Sequence, residues 1–419
     1  MSVPAPHPPA PLGGAVWGRG AQAALVDTLG WGYPGVPSGI YRGSRPLRAP
    51  ALAVRCLQRA ELGASALSVS RLCFGTMLFG EGNSYPEAAR LLGACREGGV
   101  NFFDSAEMYP VPQSAETHGR SEEYLGRWVR ESGVPRDQVV LATKVAGPSG
   151  QMTWIRGGPQ SLDASNITEA IDGSLRRLGT DYIDLLQLHW PDRYVPMFGD
   201  VEYDPTCAYS AVVPAEEQLE ALGRAVEAGK VREVGLSNET PWGLMKFLQA
   251  AGSGRPRVAS LQNAYSLLCR TFEGGLAECC HLEAVALLAY SPLAMGLLTG
   301  KYHPGSEEQG GGAGPGPEAR LVKYAGRYAE AESRYYPRAP NVAEAVREYG
   351  AIAREAGMSP AELAIRWVLT NPQVASAVVG ASNERQLKEL LRAGEAGALP
   401  PDVAKAVDAV HRRYPSPTP

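Results

Sequence analysis

The chain reads as an α/β protein, a (β/α)8 TIM barrel with an N-terminal β-hairpin and long loop insertions. Three observations predict this. From residue 71 onward, eight short apolar runs of strand character alternate with amphipathic stretches of helical period. Polar residues of catalytic type follow several of those runs, and in a parallel barrel the carboxyl ends of the strands share one face. No G-x-G-x-x-G opens a helix after an early strand, so the open dinucleotide-binding sheet lacks its signature.

The elements follow in chain order. Residues 1–54 form a leader rich in Pro, Gly and Ala, whose basic residues are all Arg and whose only acid is Asp27. That composition fits an organelle transit peptide or a disordered extension. Residues 57–69 read as a small hairpin turning at Gly63. The strand runs are 72–74, 100–103, 139–142, 183–188, 231–235, 258–262, 285–289 and 376–379, and helical patterns between them include 86–97, 121–132, 167–178, 215–227 and 360–370. Two irregular insertions, 191–214 and 303–340, follow strand ends on the presumed catalytic face and are candidate walls of a pocket.

Composition bounds the function. With 419 residues, 44% of them hydrophobic, the chain can bury the core of one elaborated barrel. A net charge of −4 gives no reason to expect a nucleic-acid partner. No apolar run approaches the roughly 20 residues of a membrane span. Seven cysteines with no C-x-x-C pair read as reduced, mostly buried thiols, and no metal cluster is visible. Residues 296–301 lack P-loop spacing and Tyr302 stands where Ser or Thr is required, so ATP is not expected.

Four residues at or just beyond strand ends carry the chemistry: Asp104, Tyr109, Lys144 and His189. A free phenol with a pKa near 10 is a poor acid at neutral pH. A neighbouring ammonium favours the ionised form, so Lys144 is expected to bring Tyr109 towards working range. Asp104 is the counter-ion that keeps Lys144 charged, and the His189 imidazole can donate a hydrogen bond to a substrate oxygen. Together they can move a proton onto a carbonyl oxygen without a Ser or Cys nucleophile.

The segments FGTMLFGE (74–81), NFFDSAEMYP (101–110), LATKV (141–145), LGTDYIDLLQLHWPDRY (178–194), GKVREVGLSNET (229–240), AYSPLAMGLLTGKY (289–302) and VVGASNERQL (378–387) resemble the aldo-keto reductase superfamily across residues 55–415. Within it the chain looks closest to the Tas-type bacterial and plant branch, through the loop after Tyr109 and the HWPDRYVPMFGD segment (189–200), with potassium-channel β subunits as more distant relatives. Ser105 stands where Thr is common in the family.

The resemblance implies a nicotinamide site. Ser237, Asn238 and Gln262 match residues that bond the carboxamide, and Tyr290 matches the aromatic that stacks on the nicotinamide ring. The backbone from Ser291 through Leu293 to Gly296 matches the pyrophosphate cradle. Lys301 and Ser382 match 2′-phosphate contacts, and Gln386 and Glu389 match adenine contacts. Asn383 with Gln386 also makes a capping box, and a capped helix N-terminus is itself a phosphate site. Trp190, Met77, Trp242 and the two insertions are the residues expected to shape the substrate pocket. The implied protein is a monomer or weak homo-oligomer that reduces small aldehydes or ketones with NADPH, and the likeness to the plant branch, taken with the Arg-rich leader, implies the chloroplast as its compartment, with the cytoplasm as the alternative. The alternative is an NADPH-binding, redox-sensing regulatory protein with little turnover.

Overall fold

The computed structural model describes residues 57–419 except 159–160, 208–211, 253, 304–314, 318 and 338. The leader 1–54 therefore lies outside the described residues.

A hairpin opens the described chain, with β1 (Arg59–Glu61) antiparallel to β2 (Ser68–Ser70). At its turn Gly63 has φ +60°, and a Cβ there would lie 2.3 Å from the carbonyl oxygen of Ala259. Only glycine allows the turn to press so closely against the end of the barrel. Leu62, Leu67 and Val69 are buried with Cys73, Phe102, Val140, Leu185 and Leu288, so the hairpin closes the floor with an apolar plug.

The barrel strands are β3 (Leu72–Gly75), β4 (Phe102–Asp104), β5 (Val140–Val145), β6 (Ile183–Leu188), β7 (Val231–Ser237), β8 (Val258–Ala264), β9 (Ala286–Tyr290) and β10 (Val374–Val379). All neighbouring pairs are parallel, and β10 pairs with β3 to close the barrel. The helices are α1 (Tyr85–Glu97), α2 (Arg120–Ser132), α3 (Ala164–Leu178), α4 (Ala215–Glu227), α5 (Pro241–Ala251), α6 (Leu276–Leu282), α7 (Arg320–Tyr324), α8 (Ala329–Arg334), α9 (Pro340–Glu355), α10 (Pro360–Thr370), α11 (Glu384–Ala396) and α12 (Pro401–Arg413). Their starts carry local signals: Asp163, Thr240, Ser359 and Asn383 each accept a hydrogen bond from a first-turn backbone N–H. The apolar faces of the larger helices pack on the outer faces of the strands to form the main core.

Two expectations change. Three strands run two or three residues beyond their apolar runs, β5 to Val145, β7 to Ser237 and β8 to Ala264, because the polar side chains there find hydrogen-bond partners in other elements: Thr143 at Glu122, Lys144 at the Ser105 carbonyl, Ser237 at the Gln262 carbonyl and Asn263 at the Glu239 carbonyl. The insertion 303–340 is not irregular throughout, since it contains α7 and α8. Among the described residues, no helix is long and apolar enough to cross a membrane.

Candidate functional site

The register of the barrel explains why four residues distant in sequence meet. Asp104 ends β4, opposite Ala142 of β5, while Lys144 of β5 lies opposite Gln187 of β6. His189 follows β6 directly, its backbone N–H donating to Val145 at 2.9 Å. Lys144 is only 1% exposed and is ion-paired to Asp104, and its ammonium also donates to the carbonyl of Ser105 at 2.8 Å. The second Asp104 oxygen accepts from the side-chain amides of Gln187 at 3.0 Å and Gln262 at 2.9 Å. A buried ion pair is costly to break because removing one partner strands the other charge.

Tyr109 is carried by the loop after β4. Glu107 fastens that loop: its carboxylate accepts from the Ala146 N–H at 2.6 Å and pairs with Arg156. Burial raises the Glu107 pKa, with Arg156 working against the rise. The Lys144 ammonium lies 5.2 Å from the Tyr109 ring centroid, and the Tyr109 and His189 rings meet edge to face with centroids 5.6 Å apart.

Here the electrostatics correct the sequence expectation. Burial pushes the Tyr109 phenol above its ordinary pKa, and the opposing pull of Lys144 does not overcome it. Burial also acts to lower the Lys144 pKa, but Asp104 and Tyr109 outweigh it and hold the ammonium charged. His189 is driven well below the ordinary histidine range, by burial first and then by Lys144, so its ring is neutral at physiological pH. Its Nδ1 is buried and, among the described residues, has no hydrogen-bond partner.

A cavity of about 1100 Å³ runs from this cluster across the carboxyl ends of the strands to the start of α11. Its lining includes Asp104, Tyr109, His189, Ser237, Asn238, Gln262, Tyr290, Ser291, Leu293, Gly296, Lys301, Ser382, Gln386 and Glu389. The Ser237 hydroxyl donates to the Gln262 carbonyl at 2.8 Å. The Asn238 amide donates to the His189 carbonyl at 2.9 Å and its Oδ1 accepts from the Tyr290 hydroxyl at 2.7 Å. After β9, Ser291, Ala294, Met295 and Gly296 all have positive φ, between 46° and 93°. Such a run is strained for non-glycine residues and marks a loop shaped for close approach of a ligand. A Cβ on Gly296 would sit 2.9 Å from the Lys301 ammonium, so that side chain lies across the bare glycine backbone.

At the far end, burial lowers the Lys301 pKa and the nearby Arg320 lowers it further. Among the described residues no carboxylate pairs with either cation. Ser382 donates through both its N–H and its hydroxyl to Gln386 Oε1 at 3.0 Å. Asn383 caps α11 as expected, but the returning arm of the capping box goes from Gln386 to Ser382 instead of to Asn383. Glu389 accepts from Ser359 at 2.5 Å.

Not every expected residue reaches the site. Met77 and Trp190 line the cavity, but Trp242 is 61% exposed on α5, under Arg193 and Lys246, and is no part of the cavity wall. The pattern of α5 turns Leu244, Phe247 and Leu248 inward, which sends Trp242 to solvent. The insertions do contribute walls, through Met197 and Phe198 and through Arg320, Tyr324, Tyr328 and Arg334. Sequence reasoning missed Gln187, Glu107, Arg320 and Arg334. Gln187 lies in a run already read as a strand, Glu107 in the short segment between Asp104 and Tyr109, and the last two in a segment with no strand or helix signal strong enough to place them.

The sequence pattern of the aldo/keto reductase family matches residues 71–412. The chain is 41% identical to protein Tas of Escherichia coli K12 over 356 residues, covering 85% of this chain and 98% of that protein. It is 31% identical to a probable voltage-gated potassium channel subunit beta of rice, over 86% of this chain and 99% of that one. It is 29% identical to an L-glyceraldehyde 3-phosphate reductase of E. coli O157:H7, over 80% and 87%.

Proposed function

The chain belongs to the aldo/keto reductase family, and from that membership we propose an NADPH-dependent reductase of small aldehydes or ketones in which Tyr109 is the proton donor. The observation that carries this reading is the buried Lys144–Asp104 pair set against the Tyr109 ring beside a neutral His189.

Bound NADPH would supply a hydride to the carbonyl carbon. The chain's own groups manage the oxygen. Tyr109, kept in its phenol form by burial, gives its hydroxyl proton to that oxygen as negative charge develops there. Lys144 stabilises the phenolate that remains, and Asp104 keeps Lys144 cationic while Gln187 and Gln262 hold Asp104 in place. His189, being neutral, can donate one N–H to the same oxygen and set its angle without competing for the proton.

The cavity suits the cofactor. Ser237, Asn238 and Gln262 would hold the carboxamide, the Tyr290 ring would lie against the nicotinamide, and the positive-φ backbone of Ser291, Leu293 and Gly296 would cradle the pyrophosphate. Lys301 and Arg320, two cations without a carboxylate partner among the described residues, together with Ser382, would meet the 2′-phosphate, and Gln386 and Glu389 would meet the adenine. That charge balance favours NADPH over NADH.

Oxidation of NADPH by a panel of aldehydes and ketones tests the mechanism. Tyr109→Phe is expected to lower turnover by at least roughly 10²-fold, the loss typical of a general acid, while NADPH still binds. Turnover equal to the parent on every accepted carbonyl would remove Tyr109 from the mechanism. A redox-sensing regulatory protein is the second reading, favoured by the likeness to the rice channel subunit. A parent protein that binds NADPH tightly but oxidises it with no carbonyl would favour that alternative.

A further inference from the structure

Arg334 is a cation of the cavity wall whose charge the proposed chemistry leaves unused. It ends α8, inside the second insertion, and the first insertion clasps it there. The Ser333 hydroxyl donates to the Phe198 carbonyl at 2.7 Å, and Gly199, at φ +111°, lets the two backbones approach so closely that a Cβ would lie 2.9 Å from the Ser333 oxygen. The guanidinium is thus presented to the cavity by two loops packed on each other.

Its surroundings are neutral. Nη1 donates to the Tyr290 hydroxyl at 2.9 Å and Nη2 reaches the Cys269 sulfur at 3.5 Å. The guanidinium carbon lies 5.7 Å from the Tyr290 ring centroid and 5.6 Å from that of Tyr335. Among the described residues, Nε is buried without a hydrogen-bond partner and no carboxylate pairs with Arg334. A partly buried cation faced, among the described residues, by hydroxyl, thiol and aromatic rings is short of the anion that normally accompanies such a charge. The position is informative too. The chain Arg334–Tyr290–Asn238–His189, with links of 2.9, 2.7 and 2.9 Å, connects it to the backbone of the residue proposed to orient the substrate oxygen.

We propose that Arg334 binds an oxyanion carried by the substrate, so that the preferred substrates are carbonyl compounds bearing a carboxylate or a phosphate ester near the C=O. This rests on the carbonyl-reductase reading of the same cavity. A planar guanidinium with free N–H groups suits either oxyanion, and the carboxylate can be taken bidentately. The same cavity is also lined by Met77, Met108, Met152, Trp190 and Tyr324, a largely apolar cluster that takes the body of the substrate.

Paired probes test the proposal. Benzoylformate is compared with its methyl ester, and glycolaldehyde phosphate with glycolaldehyde, in the parent, Arg334→Met and Arg334→Lys. In Arg334→Met the kcat/KM preference for the charged member of a pair should fall about ten- to a hundredfold, the worth of a charge-assisted hydrogen bond, and Arg334→Lys should restore part of it. The pair that responds tells a carboxylate site from a phosphate site. If the preference is unchanged in both pairs while all rates fall together, Arg334 merely braces Tyr290 and the proposal is overturned. Calorimetric titration of benzoylformate and glycolaldehyde phosphate into the same proteins separates this from the reductase reading. Anion binding lost in Arg334→Met supports the site even if no carbonyl is turned over, whereas equal binding in parent and variant refutes it even if turnover is fast.

Discussion

At the residue scale the site depends on which effect wins at each ionisable group. At Tyr109 burial wins over the Lys144 charge, so the phenol is a weaker acid than the bare pairing of residues suggests, and Lys144 acts by limiting the rise. Lys144→Met removes a positive charge and leaves Asp104 unpaired, and both changes raise the Tyr109 pKa further. The acid form then persists to higher pH. The alkaline limb of the reduction rate is therefore expected to move upward in pH as the plateau rate falls, and a limb that stays put or moves down in a pH–rate profile would contradict the pairing. Lys301 offers a second test. Burial and Arg320 both oppose its charge, so an approaching 2′-phosphate relieves a repulsion as well as making a bond. Lys301→Ala should weaken NADPH binding roughly ten- to a hundredfold, as loss of a charge-assisted hydrogen bond implies, and weaken NADH binding much less. Fluorescence titration measures both, and equal affinities of the parent for the two cofactors would refute the assignment. Asp104, Lys144 and His189 stood out because each follows a readable apolar run within two residues, and Tyr109 because it shares the short segment after Asp104. Trp242 misled because a large aromatic after a strand reads equally well as a pocket wall or an exposed helix start.

At the scale of elements, close packing decides what the helix pattern leaves open. Gly126 in the middle of α2 lies so near the end of α3 that a Cβ would come 2.1 Å from the backbone oxygen of Leu178, whereas a Cβ on Gly93 of α1 would meet nothing within 4 Å. Helix propensity alone favours alanine over glycine by about 1 kcal/mol at either position. At Gly126 the clash is with backbone and cannot relax cheaply, and overpacking costs about 1–3 kcal/mol. Gly93→Ala should therefore raise the urea midpoint of unfolding and Gly126→Ala should lower it. The same sign for both would show that α2 and α3 can separate at little cost. Strand ends show a related limit: β5 was read only to Ala142 because Thr143 and Lys144 interrupt the apolar run, yet both are buried. Their partners, Glu122 and Asp104, come from other elements, so no local pattern announces them.

For the whole molecule, the two ends of the barrel do different work. The hairpin seals the floor with Leu62, Leu67 and Val69, and no residue of β1 or β2 lines the cavity at the other end. Leu62→Ala should thus destabilise the fold by roughly 2–5 kcal/mol, the range for emptying a buried leucine site, with NADPH affinity of the folded protein unchanged. Thermal unfolding and a cofactor titration read the two quantities separately, and a large loss of affinity without loss of stability would show that floor and mouth are coupled.

The division between sequence and structure follows from the range of the forces involved. Period, capping residues and turn glycines act within a few residues, so the amino-acid order by itself determined the alternation of strands and helices, the hairpin at Gly63, the capped start of α11 and the apolar runs that precede Asp104, Lys144 and His189. Desolvation and pairing act between elements far apart in the chain. Only the tertiary structure could decide that burial outweighs Lys144 at Tyr109, that Glu107 and Arg156 fasten the tyrosine loop, that Trp242 faces solvent, and that two insertions meet to place Arg334 beside Tyr290 with no carboxylate among the described residues to match it.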